Sequence, residues 1–371
     1  MLHSTLAPYL YWAKTRPAAA FDLAGSNLLA CSLEDLPGAR DAVDLTMPDR
    51  GGFPPLVDGI ATHYGVTPDC VVTAPGCSAA NFLAIAALVG AGDAVLMEWP
   101  GYDQIRGACE LLGARVDTFE RRFAEGFRVD VAAVRAKITP QTRPVILTSP
   151  HNPGGAAIDA ATLAELQALA ESANLHVLVD EVYLDVTRML KGGGVAHAHP
   201  RADRPWPAAA LVGDRLLSIS SLTKSYGLSG LRCGWVVTTP AIAERCRRVR
   251  DVIDNIGAAP ADRLSALAFA HLPRLAERAF SLVTTNLAHA NAFFARRPEL
   301  ELAIPIEATI AFPRVRGVDD SAELVRRLFE EQGVAVAAGA FFGAAGHIRL
   351  SLAGNTETLV EGLHRIDAVF S

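Results

Sequence analysis

Short apolar runs, rich in β-branched residues, recur along the chain at 70–73, 94–97, 144–148, 176–179, 216–219 and 234–238. Between them apolar residues return every three or four positions, at 79–89, 102–112 and 161–173, the spacing of a helix with a buried face. Strand, helix, strand at these intervals predicts an α/β fold, with a mostly parallel sheet covered by helices on both faces. Residues 281–296 predict a long amphipathic helix. Beyond it the rhythm changes to a strand at 309–312, a helix at 322–332, a strand at 347–351 and a closing helix. That is the pattern of a smaller α+β domain. The expected division is a large domain over 45–275 and a small domain made of 1–44 with 276–371. Residues 191–207, with three consecutive glycines and three prolines, predict a mobile surface loop.

A length of 371 residues fits two domains rather than one small core. Half the residues are hydrophobic and a fifth charged, as expected of a globular chain. The net charge of -6 with no basic cluster argues against a nucleic-acid or membrane surface. The pairs Arg121-Arg122 and Arg247-Arg248 are read as solvated helix faces. The longest apolar run, 82–92, is too short to span a bilayer. The six cysteines form no CxxC pair and no metal-ligand spacing, so reduced thiols and no metal are expected. The N-terminus shows no signal-peptide pattern, and the expected location is the cytoplasm.

In open α/β sheets ligands bind beyond the carboxyl ends of the strands, so the residues just past each run carry the chemistry. They are Gly76-Cys77-Ser78, Pro100-Gly101-Tyr102, His151-Asn152-Pro153-Gly154, Asp180 with Tyr183, and Ser221 with Lys224. Singly, each has an ordinary reading. Asp180 fits a solvated strand end, Asn152-Pro153-Gly154 a plain turn, and Gly76 a structural glycine. Together they are more specific. An Asn in a turn, an acid after an apolar strand, a Tyr three residues on, Ser-x-x-Lys, then an Arg eight residues further form a joint pattern.

Residues 221–235, SLTKSYGLSGLRCGW, resemble the lysine motif of the class I/II aminotransferases, the fold-type I enzymes of pyridoxal 5′-phosphate (PLP). SPHNPGG at 149–155 and DEVY at 180–183 resemble that family's two preceding motifs, with Gly154 where Thr is usual. The resemblance extends from about Leu23 to the last helix. It implies that Lys224 bonds the PLP aldehyde and later carries the proton between Cα and cofactor. It also implies that Asp180 pairs with the pyridine nitrogen, and that Asn152 and Tyr183 hydrogen-bond the ring oxygen. Tyr102 would stack on the ring, with Trp99 as competitor. Gly76, Cys77 and Ser78 open a helix whose free amides suit a phosphate, and Ser221 and Arg232 would complete that cup. Cys77 is then a small residue beside a phosphate rather than a nucleophile. Arg349 would grip the substrate's α-carboxylate, with Asn152, Ser26 and Asn27 lining the substrate pocket.

The substrates implied are an amino acid and a 2-oxo acid, and the assembly implied is a homodimer. Two departures qualify this. Met47 stands near the place of a Tyr that in many relatives reaches the phosphate across the dimer. Residues 251–262 lack the Arg found in relatives selective for dicarboxylic substrates, so neutral or apolar donors are expected to exceed aspartate. A PLP-dependent lyase or cyclising synthase of secondary metabolism on the same fold is the alternative.

Overall fold

The structure, a computed structural model, describes residues 7–48 and 51–370. Seven strands form the main sheet: β1 (Val71–Pro75), β2 (Ala94–Trp99), β3 (Arg115–Glu120), β4 (Thr142–Thr148), β5 (His176–Asp180), β6 (Leu216–Ser221) and β7 (Cys233–Val237). Their order is β1-β7-β6-β5-β4-β2-β3. Strands β2 to β6 run parallel to one another, and β7 runs antiparallel to both β1 and β6. The apolar runs are buried on both sides. Alternate side chains of each strand enter different cores: Ile146, Leu178 and Leu217 pack against the helices Cys77–Leu88, Asp103–Leu111 and Pro240–Ile253. Val145, Val177 and Leu216 pack against Ala160–Ala173.

Strand β3 escapes the apolar pattern. It is an edge strand whose Arg115 and Asp117 pair at 2.9 Å in solvent, so its alternation is diluted by charge. The long helix starts earlier than expected, at Leu272, and runs to Ala295. Pro273 lies in its first turn, where proline is tolerated, rather than breaking it. Residues 191–207 are anchored at both ends. Lys191 pairs with Glu307 at 2.5 Å, its amine sits 4.5 Å over the Trp206 ring, and Arg188 donates to the Trp206 carbonyl at 2.6 Å.

Arg121 corrects the solvated-pair reading. It follows the edge strand, is 1% exposed, and pairs with buried Glu98 at 2.6 Å. Its neighbour Arg122 is exposed.

Outside the sheet, Ile348–Ser351 is flanked by Ile310–Ala311 and Ala337–Ala338, all antiparallel. Phe21–Asp22 pairs in parallel with Val334–Ala335, which binds the N-terminal segment to the C-terminal one. No helix among the described residues is long and apolar enough to cross a membrane.

Candidate active site

The carboxyl ends of β4, β5 and β6, with the turn after β1, open on a cleft of about 440 Å³. Lys224 rises from the single-turn helix Leu222–Tyr226, whose N-cap is Ser221. Its Nζ donates to Ser26 Oγ at 2.8 Å and to Asn27 Oδ1 at 2.6 Å, and lies 5.9 Å from the Tyr183 ring centre. None of these partners is an anion. Burial, then the positive charge of Arg349, lowers the amine's pKa to about 7, so near neutrality much of it is uncharged.

Asp180 ends β5 and is buried. Its Oδ2 accepts from Asn81 Nδ2 at 2.8 Å and from Cys77 Sγ at 3.2 Å, and its Oδ1 accepts from the Val182 amide at 3.3 Å. All three donors are neutral, and burial pushes the carboxyl up from its usual range. A buried carboxylate facing a cleft and ion-paired to no cation among the described residues suits a ligand that brings a charged N–H. The Cys77 thiol is raised well above its ordinary range, first by burial and then by Asp180, so it is held as a thiol and donates.

Gly76 caps the helix Cys77–Leu88 at φ +88°, a conformation that favours glycine. A Cβ there would lie 2.2 Å from Arg232 Nη2, so glycine is also what lets the guanidinium reach the helix start. Arg232 pairs with no carboxylate among the described residues, and Ser78, Ser221 and Thr223 line the same end. Free amides, hydroxyls and an unpaired guanidinium form an anion cradle.

Asn152 is placed by its amide donating to Thr148 Oγ1 at 2.8 Å. The Gly154 departure has a local cause: a Cβ there would meet His151 Nδ1 and the Phe127 ring, each at 2.5 Å. His151 accepts from the Gly154 amide at Nδ1 (3.2 Å), leaving Nε2–H to donate to the Pro100 carbonyl at 2.8 Å. Burial keeps that ring neutral. Tyr183 is buried and its hydroxyl pushed up to about 12 by burial, so it remains an O–H donor. Tyr102 lines the cleft. Trp99 does not: its ring packs against Gly343 on the other side of the sheet end.

Arg349 lies behind the cleft wall rather than on it. It is 0% exposed, donates to Asn152 Oδ1 (3.1 Å), Tyr9 OH (2.5 Å) and the Ala24 carbonyl (3.1 Å), and its Nε has no partner among the described residues. Its cation is flanked by the Tyr9 and Phe342 rings at 4.5 Å each, with no carboxylate paired to it among the described residues. Met47 packs against the apolar core. Ile253 and Ile256 are exposed, so within one chain the 251–262 stretch does not line the cleft.

Sequence reasoning missed Asn81, Tyr9, Leu10 and Gln104, whereas Lys14, named from sequence with Arg16 as a cation that could reach the pocket, does line the cleft. Asn81 sits one helical turn after Cys77, a spacing that places it beside Asp180. Gln104 follows Tyr102 by two residues, and Tyr9 and Leu10 come from a remote segment with no local signal.

Capreomycidine synthase of Streptomyces vinaceus is 32% identical over 306 residues, covering 80% of this chain and 73% of its own length. Arginine–pyruvate transaminase of Pseudomonas aeruginosa is 33% identical over 315 residues, with the same two shares. The crystal structure of a PLP-dependent aminotransferase from Streptococcus suis superposes with a TM-score of 0.88 at 26% identity, covering 99% of this chain and 98% of its own. The family profile for aminotransferase class I and II matches residues 44–366. The chain therefore belongs to the class I and II aminotransferase family.

Proposed function

We propose that the protein moves an amino group from an α-amino acid with a neutral or apolar side chain to a 2-oxo acid, using PLP held at Lys224. PLP-dependent amino transfer is the chemistry of its family. The observation that carries the site assignment is that one cleft is lined by Lys224, held by the neutral Ser26 and Asn27, and by a buried Asp180 whose hydrogen-bond donors are all neutral.

The chemistry supplied by bound PLP is an aldehyde for the amine and a protonated ring that accepts electrons. The amides of Cys77 and Ser78, with Ser221 and Arg232, would hold the phosphate. Asp180 would accept from the ring nitrogen and keep its proton in place. Asn152 and Tyr183 would donate to the ring oxygen, and Tyr102 would flank the ring. Lys224 would hold the group through its amine and, when that amine is free, would take the proton from Cα. Its low pKa leaves it able to accept that proton at neutral pH. Arg349 holds the α-carboxylate after the Tyr9 hydroxyl moves aside, and Ser26 and Asn27 steady the free amine.

The donor preference rests on the wall. Leu10, Asn27 and Gln104 on the lining are uncharged, Lys14 on the same lining is solvent-exposed, and an unpaired buried charge is costly. Adding amino acids one at a time to the purified holoenzyme and following its spectrum tests the reading. Conversion to the pyridoxamine form supports transfer. Ammonia and an oxo acid without that conversion support the lyase alternative, which the synthase among the relatives favours.

We also propose the division 45–275 against 1–44 with 276–371, supported by a main sheet lying wholly within 71–237. We propose a cytoplasmic location and a homodimer, the dimer supported by the exposed Leu45, Val252, Ile253 and Ile256, large apolar side chains left in solvent by one chain. Sedimentation showing an active monomer would overturn it.

A further inference from the structure

Building on the aminotransferase reading, we propose that the buried Glu98 is the positioning residue of Asn152. Acting through the Thr148 hydroxyl, it fixes how Asn152 presents its side-chain amide to the cleft.

Glu98 is the one charged residue of strand β2, and it lies in the core with Arg121, Thr148 and Asn152. An ionised acid there needs donors on every side. Its Oε2 accepts from Arg121 Nη1 at 2.6 Å. Its Oε1 accepts from the Thr148 amide at 2.8 Å and from the Thr148 hydroxyl at 2.5 Å. Arg121 gives its other N–H groups to carbonyls, those of Phe127 (2.6 Å), Thr148 (3.1 Å) and Ala156 (3.4 Å). The ion pair therefore holds both ends of the turn 148–156, which carries Asn152. A buried ion pair adds little net stability over packed apolar side chains. What this one supplies is direction.

The Thr148 hydroxyl has a single hydrogen, and the carboxylate beside it only accepts. That hydrogen goes to Glu98, which leaves the oxygen's lone pairs for the Asn152 backbone amide, 2.8 Å away. At the other end of Asn152, Arg349 Nη1 donates to Oδ1 at 3.1 Å. A guanidinium only donates, so Oδ1 faces Arg349 and Nδ2 is left for the cleft that Asn152 lines. Asn152 is thus held at its backbone by the chain from Glu98 and at its side chain by Arg349. Glutamine cannot take the place of Glu98. Its amide nitrogen would face either Arg121 or the Thr148 amide, donor against donor.

The test follows the pH at which the bound cofactor's absorbance changes in the resting holoenzyme, without substrate. The Asn152 amide stabilises the ionised ring oxygen, which keeps that midpoint low. Thr148→Val keeps the side-chain shape but removes the hydroxyl. It should raise the midpoint by about 0.5 to 1 pH unit, the worth of one hydrogen bond, and Thr148→Ser should restore it. Glu98→Gln should move it in the same direction. In an Asn152→Ala background, Thr148→Val should move it no further. A lower melting temperature with an unmoved midpoint would make the pair structural alone and overturn the proposal. An equal shift in the Asn152→Ala background would also overturn it. The cofactor-free protein gives a second readout: hydrogen exchange at the Asn152 amide should quicken by about three- to tenfold in Thr148→Val and stay native in Thr148→Ser. Unchanged exchange in Thr148→Val would overturn the role of Glu98. A protein that binds no PLP would overturn the aminotransferase reading instead, and quickened exchange in Thr148→Val and Glu98→Gln would retain the hold on Asn152.

Discussion

At the inner end of the cleft, Gly76, Asp180, Ser221 and Arg232 all lie at or next to the end of a strand in one sheet. At the outer wall, Ser26 reaches in to Lys224 across 198 positions of sequence, and Tyr9 meets Arg349 across 340. The inner groups inherit their spacing from strand ladders, where each backbone bond supports the next. The outer groups are joined by single side-chain hydrogen bonds, each worth about 0.5–1.5 kcal/mol net. The inner end is a fixed template. The outer wall is a set of contacts that substrate can exchange for its own.

Breaking the inner end should cost most. Lys224→Ala should lower turnover by about 10³-fold or more, because bonding and proton transfer are lost together. Borohydride reduction that still attached PLP to that peptide would refute the assignment. Asp180→Asn should fold normally and slow the half-reaction by about 10²–10³-fold, since an amide cannot hold a proton on the ring nitrogen. A near-native rate in rapid mixing would remove that role. Arg232→Ala should weaken PLP binding by about 10- to 100-fold, the loss of one or two charge-assisted bonds, seen as easier loss on dialysis.

Perturbing the outer wall should cost less. Tyr9→Phe removes the hydroxyl that Arg349 holds but leaves the ring in place. KM for amino acids should change by about three- to tenfold with little change in kcat. A loss of kcat comparable to that of Asp180→Asn would erase the distinction between the two regions.

The smallest effect is a displaced pH profile. Below its pKa of about 7 the Lys224 amine is protonated and cannot attack, so PLP attachment to the cofactor-free protein should rise with pH through about 7 and then level. Because Arg349 is the second cause of that low value, Arg349→Met should move the midpoint upward. Reconstitution rates between pH 5.5 and 9 decide it, and an unmoved midpoint would show that burial alone sets the value.

The inner end was legible because each of its residues sits in a short string tied to a strand. Ser221 and Lys224 share one turn, and Asp180 and Tyr183 share another. The two-faced apolar runs also announced six of the seven sheet strands. β3 was lost because an edge strand with Arg115 and Asp117 has no apolar face to display. Tyr9 and Leu10 could not be read because their importance depends on how a remote helix docks. Arg121 looked like half of a surface pair, since nothing beside it in sequence reveals that Glu98 waits for it in the core. Gly154 appeared to be a neutral exchange for Thr until His151 and Phe127 were seen to occupy the space a side chain would need.

Gly76, Arg232 and Gly234 bear on how this family can drift. A Cβ on Gly234 would strike the Gly76 carbonyl carbon at 2.3 Å, and one on Gly76 would strike the Arg232 guanidinium at 2.2 Å. The two strand ends touch backbone to backbone, with the arginine folded over the contact. Trimming Arg232 would free space at Gly76, yet the φ of +88° would still penalise any other residue there, and the clash at Gly234 would be untouched. No single substitution opens a path for the next. Lineages that keep the phosphate end should therefore hold all three together, while the mouth of the cleft varies around them as donors change.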